Sequence, residues 1–143
     1  MAYKIPAASS GISFIMRTLN GNPADSSTYF LCMAQTTIVT TVSSGRSRIV
    51  MPKAGTITAA YGQTTNQGTL GSAEDVTIAL RLNDTSNTNV TTTLHTNATS
   101  SAFSNAALSL AVSAGDFIDV LMITPAWATN PTIVSVSITF VLT

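Results

Sequence analysis

Few side chains in this 143-residue chain can do chemistry, and their spacing restricts what that chemistry is. His95 is the only histidine and Cys32 the only cysteine. Asp116 and Asp119 stand three apart, and alternation along a strand sends such positions to opposite faces, which argues against a shared acid/base site. Asp116 instead reads as a turn former and Asp119 as a polar residue on a strand face. No G-x-S-x-G nucleophile elbow accompanies His95. A metal needs clustered ligands, and Cys32 and His95 offer none at ligand spacing. The run Asn83-Asp84…Asn87…Asn89 holds oxygen donors for Ca²⁺, but one carboxylate without a bidentate Glu reads as an ordinary polar loop. Gly68-Thr69-Leu70-Gly71 lacks the lysine and the strand-to-helix context of a phosphate loop. The expectation is a non-enzymatic chain without a cofactor.

Two groups remain that can recognise something. Arg46, Arg48 and Lys53 form the one basic cluster, either a solvated edge that discourages strand pairing or a docking patch for an acidic surface. Trp127, Tyr3, Tyr29 and Tyr61 can stack on a sugar face, although Trp127, between Pro125 and Pro131, reads first as the anchor of a structural corner. The sequons at Asn83, Asn89 and Asn97 are what a Thr-rich chain yields by chance.

Charge narrows the partners. Only 8% of residues are charged and the formal net charge is zero, against a usual charged share of about 25%. Neither nucleic acid nor an anionic membrane finds an electrostatic footprint here. An uncharged, Thr/Ser/Asn-dressed surface favours association, so the chain reads as a subunit of something larger. One cysteine makes no intrachain disulfide, which leaves the fold to packing. No secretory signal opens the chain, and no apolar run reaches the roughly 20 residues of a membrane helix. Synthesis in a cytoplasm is expected.

The elements that must position these residues are strands. Thr132 to Leu142 alternates Val134, Val136, Ile138, Phe140 and Leu142 with Ser135, Ser137, Thr139 and Val141, the period of a strand. Before it, Ser113-Ala114-Gly115-Asp116 supplies a tight reversal into Phe117–Thr124, which Pro125 stops. Val76–Asn83 alternates as cleanly, with Val76, Ile78, Leu80 and Leu82 on one face. Further strands are expected at Gly11–Thr18, Thr28–Ala34, Thr36–Val42, Arg48–Met51, Thr56–Tyr61, Val90–Thr96 and Ala107–Val112. Gly62–Gly71 and Asn83–Asn89 read as loops, Ser100–Asn105 as a bend, and Met1–Ser10 as an extended arm before one domain spanning 11–143. Short strands with Gly, Pro and Asn between them specify an all-β antiparallel sandwich, with a jelly roll preferred because the Cys…Trp…Cys framework of immunoglobulins is missing.

A family resemblance adds to this. Leu108–Val120, with Ser113-Ala114-Gly115-Asp116 inside it, resembles the strand, Gly-Asp turn and strand near the end of C1q/TNF-like jelly rolls. Thr69–Ile78 together with Thr124–Thr132 resembles the terminal domain of tailed-bacteriophage virion proteins, both appendage tips and head decoration proteins. The resemblance covers roughly Arg48 to Thr143. It implies a trimeric jelly roll without enzymatic activity, carried on the virion. The absence of a long N-terminal shaft shifts the expectation from a tail fibre to a small head decoration, or cement, protein bound to the major capsid protein or another virion protein. Arg46, Arg48 and Lys53 are then the capsid-docking candidates. Gly115, Asp116, Pro125, Trp127 and Pro131 form the structural corner. A glycan-binding tip of a tail or head fibre is the alternative. Leu31–Met33, Ile49–Met51 and Leu121–Ile123, apolar on both strand faces, are expected to be covered by neighbouring subunits of a homotrimer.

Overall fold

The computed structural model describes residues 11–18, 22–32, 40 and 47–143. The arm, the strand expected at Thr36–Val42 and Arg46 lie outside them. Ten strands are formed: β1 (Ile12–Thr18), β2 (Thr28–Leu31), β3 (Arg48–Val50), β4 (Gly55–Gln67), β5 (Val76–Leu82), β6 (Ser86–Leu94), β7 (Ser100–Asn105), β8 (Leu110–Val112), β9 (Phe117–Ile123) and β10 (Ile133–Leu142). They make two antiparallel sheets. The first runs β1-β10-β4-β7 with β8 also on β4, and the second runs β2-β9-β5-β6 with β3 also on β9. The molecule is an all-β, two-sheet sandwich of jelly-roll type, and no described residue is helical.

Alternation decides which side chains meet between the sheets. Val134, Val136, Ile138, Phe140 and Leu142 of β10 are all buried, as are Val76, Ile78 and Leu80 of β5 and Ile118, Val120 and Met122 of β9. Phe14 leans on this core with its ring stacked on Phe140, centroids 5.1 Å apart. Leu108, Leu110 and Val112 close it from the β8 side.

Two expected irregular stretches are strands. β4 continues through Gln67: of its inward positions, Gly62 is half-buried and Thr64 and Asn66 are buried without being apolar, so hydrophobic alternation fades while the pairing with β10 persists. Asn66 anchors that end, its Nδ2 donating to the Ala98 carbonyl at 2.7 Å. The expected bend at Ser100–Asn105 is β7, an edge strand with one large inward residue, Phe103. Phe103 fits because Gly62 has no side chain: a Cβ there would stand 2.3 Å from the Phe103 ring. The polar loop expected at Asn83–Asn89 contracts to a turn. Asn83 and Asp84 both take positive φ, 47° and 59°, as a type I′ hairpin turn demands, and Asn and Asp tolerate this better than other residues.

The edge of the second sheet is made in two pieces. β2 and β3 lie end to end along β9, with Leu31 paired to Val120 and Arg48 to Asp119. Beyond the core, β9 also buries its other face: Leu121 is 2% exposed, beside Phe30 and Ala79 on the neighbouring strands. This corrects the expectation that Leu121 needs a neighbouring subunit. It is covered within one chain, as is Met51, whereas Val50 stays 62% exposed.

Candidate functional site

The outward face of the first sheet is the broadest surface on which side chains of one character line up. On β1, β10, β4 and β7, Ile15 pairs with Thr139, Thr139 with Tyr61, and Tyr61 with Ser104, one rung across four strands. Gln63 pairs in the same way with Ser137 and Ala102, and Ala59 with Val141. Ile15 is 59% exposed and Tyr61 48%. A shallow groove of about 290 Å³ runs between them, lined also by Gln63, Ser137 and Thr139. Arg17, opposite Ser137, is the one charged residue that register places on this face, and the others are uncharged, so most of its water is lost at low cost on contact.

Charge collects elsewhere, on the outward face of the second sheet. Register sets Arg48 of β3 and Arg81 of β5 on either side of Asp119 of β9. Asp119 is fully buried; its Oδ2 lies 3.1 Å from Arg81 Nη2 and 3.8 Å from Arg48 Nε. Asp84, on the β5–β6 turn, closes the group with one carboxylate oxygen to each guanidinium. Both guanidinia lie over aromatic rings, Arg48 4.0 Å from the Phe117 centroid and Arg81 4.7 Å from that of Phe30. Sequence reasoning missed this quartet, placing Asp119 on a polar strand face and Asp84 among oxygen donors for a cation. Two arginines hold Asp84, which is the opposite of a Ca²⁺ site. The available signal was an aspartate interrupting the apolar run Phe117–Ile123.

The three basic candidates do not form one described patch. Arg46 lies outside the described residues, Arg48 is engaged in the quartet, and Lys53 is exposed. In the corner group, Gly115 takes a φ of 89° and Asp116 accepts from the Ser113 amide at 2.7 Å and from Asn83 Nδ2 at 2.8 Å. These bonds, the Asn83 one foremost, hold the Asp116 carboxyl below the ordinary range. Trp127 is buried in the core, its amide donating to Asp25 Oδ1 at 3.3 Å. Pro131 is buried, and the Pro125 carbonyl accepts from the Ser26 amide at 2.9 Å. Tyr29 is buried too, its hydroxyl accepting from the Ala24 amide at 2.7 Å. Tyr3 lies outside the described residues, which leaves Tyr61 as the described candidate with an open ring.

His95 pairs with Asp75 at 2.9 Å on the surface. Next to it, Glu74 is lowered in pKa by hydrogen bonds, first from Ser72 and then from the Ala128 amide. Among the described residues no three His, Cys, Asp or Glu side chains are placed to hold a metal ion.

No protein-family model matches the chain. No curated protein matches it either. Among solved structures it is similar to the crystal structure of FlhE, with a TM-score of 0.50 and 7% identity over 94% of this chain and 98% of that one. It is also similar to the globular domain of zebrafish complement 1qA protein, with a TM-score of 0.51 and 9% identity over 92% of this chain and 96% of that one. At such identities the likeness concerns the fold: a β-sandwich loosely related to C1q-like and FlhE-like folds, with nothing specific to phage virion proteins.

Proposed function

We propose that this chain is a non-enzymatic structural protein of a tailed-bacteriophage particle, a homotrimeric decoration protein of the head held to the capsid by non-covalent contacts. The observation that carries the self-assembly part is the outward face of β1-β10-β4-β7, on which register places one charged residue, Arg17, and which has Tyr61 and Ile15 open on one rung. A closed three-fold arrangement covers such a face on every copy and leaves nothing to propagate into filaments. The virion setting rests on the sequence resemblance of Thr69–Ile78 and Thr124–Thr132, and the major capsid protein is the partner that setting supplies. The glycan-binding alternative keeps one described stacking residue, Tyr61, since Trp127 and Tyr29 are buried. That same ring lies at the centre of the self-assembly face, so the two readings compete for it.

Analytical ultracentrifugation separates them. The wild-type protein should sediment at about three times its 14.8 kDa chain mass at low micromolar concentration. Tyr61→Asp, which places a charge in the middle of the face, should give a folded monomer. A monomeric wild type whose Tyr61→Ala variant loses binding to host-cell glycan would replace this reading with the alternative. Labelled antibody on intact particles then reports head against tail.

A further inference from the structure

We infer that Arg48 and Arg81 form a carboxylate seat, filled in the free protein by Asp84 and open to an acidic side chain of a docking protein. The existence of a docking partner rests on the function proposed above; the seat does not. Asp84 occupies it as an external carboxylate would, with Oδ2 on Arg48 Nη2 and Oδ1 on Arg81 Nη2, one oxygen to each guanidinium. Planar donors facing a planar two-oxygen anion are the arrangement that favours carboxylate recognition.

The seat is rigid without its occupant. Phe117 and Phe30 support the two guanidinia, and the buried Asp119 fixes them from beneath. Asp119 balances one of the two positive charges, so the seat retains one unit of positive charge whenever the Asp84 carboxylate leaves. The turn that carries Asp84 is fastened through its neighbour. The Asn83 amide donates to the Phe117 carbonyl at 3.1 Å, its Oδ1 accepts from the Phe117 amide at 3.0 Å, and its Nδ2 donates to Asp116 at 2.8 Å. Every side-chain contact of Asp84 in the structure is to the two arginines. Rotation of one half-exposed side chain therefore opens the seat while the backbone stays in place. Exposed ion pairs contribute little net stability, so exchanging one carboxylate for another is close to neutral and is decided by effective concentration. A dissolved anion competes poorly against the tethered Asp84, whereas a carboxylate carried on a docked surface does not suffer that handicap.

Chemical rescue tests this. Asp84→Gly empties the seat without straining the positive φ of that position and should lower Tm by about 3 °C. Sodium acetate at roughly 100 mM should restore at least half of that loss by binding the folded state. Sodium chloride at equal ionic strength should not, and the wild type should show no acetate-specific response. Asp84→Gly/Arg48→Met should lose the rescue, and Asp84→Asn replaces Asp84→Gly if the latter folds poorly. Equal effects of acetate and chloride on Asp84→Gly overturn the seat, as does rescue that survives removal of Arg48. Stronger rescue by inorganic phosphate than by acetate overturns the carboxylate assignment. These readouts do not depend on oligomeric state, so failure of the trimer leaves the seat standing and the reverse.

Discussion

Substituting Asp119 should loosen the second sheet more than any change to a surface charge. The carboxylate is fully buried, 3.1 Å from Arg81 and 3.8 Å from Arg48. At an effective dielectric near 20, a unit pair about 4 Å apart is worth roughly 4 kcal/mol. Removing one partner of a fully buried pair costs about 3–5 kcal/mol, because the other charge is left uncompensated. Here the stranded arginines are 17–20% exposed and keep Asp84, and Asp119 Oδ1 has no hydrogen-bond partner to lose. Both facts reduce the penalty, to about 2–3 kcal/mol for Asp119→Ala and toward the lower end for the isosteric Asp119→Asn. With urea m-values of about 1–3 kcal/mol/M, the unfolding midpoint should fall by roughly 1–2 M at unchanged m. A double-mutant cycle should show stronger coupling of Asp119 to Arg81 than to Arg48. A midpoint shift below about 0.3 M for both variants would refute the reasoning that this carboxylate ties β3, β5 and β9 together.

Trp127→Ala should cost about 3–5 kcal/mol in chemical denaturation, and Trp127→Phe only about 1–2 kcal/mol, since Nε1 makes no hydrogen bond that phenylalanine would forfeit. Gly62→Ala should lower Tm sharply, because the new methyl meets the Phe103 ring at 2.3 Å and the Ser137 carbonyl at 2.5 Å. Gly115→Ala, with open space around it but a φ of 89°, should cost only the backbone strain, about 1 kcal/mol. The Asp116 and Glu74 carboxyls are held below their ordinary values of 3.8 and 4.5 in the folded chain. Their contribution is thus present above those values and is lost as pH falls through the lowered folded ones. Thermal melts from pH 7 to pH 3 should show the decline, and Asp116→Asn with Glu74→Gln should flatten it.

Much of the sandwich was legible because its central strands alternate cleanly. β10 reads as five apolar positions separated by Ser, Thr and Val, and all five are buried. β4 beyond Tyr61 and β7 were not legible, because their inward positions are Gly62, Thr64, Asn66 and a lone Phe103. Partners across the sheet, rather than their own hydrophobicity, make them strands. The quartet was hidden for another reason: Arg48, Arg81, Asp84 and Asp119 are separated in sequence and meet only once the register of three strands is known. Apolar runs on both faces were read as contact surface, when one chain already covers Leu31, Met51 and Leu121 and leaves Val50 open. The Tyr61 face carries no motif at all, and its uniform character emerges only when alternate residues of four strands are laid side by side.

The two-piece edge of the second sheet fixes both ends of the chain that joins β2 to β3. Leu31 and Arg48 answer consecutive residues of β9, Val120 and Asp119, so the two ends of this stretch are held on adjacent rungs. Whatever length of chain is spliced there, the ladder on β9 keeps its register. Doubling such an insert costs only about 0.6 kcal/mol in closure entropy. Cys32 and Ser47, both fully buried, mark the two sides of the socket. A change of chain length between them therefore acts on a frame whose two flanking rungs are both fixed by β9, a strand that β5 holds from its other side.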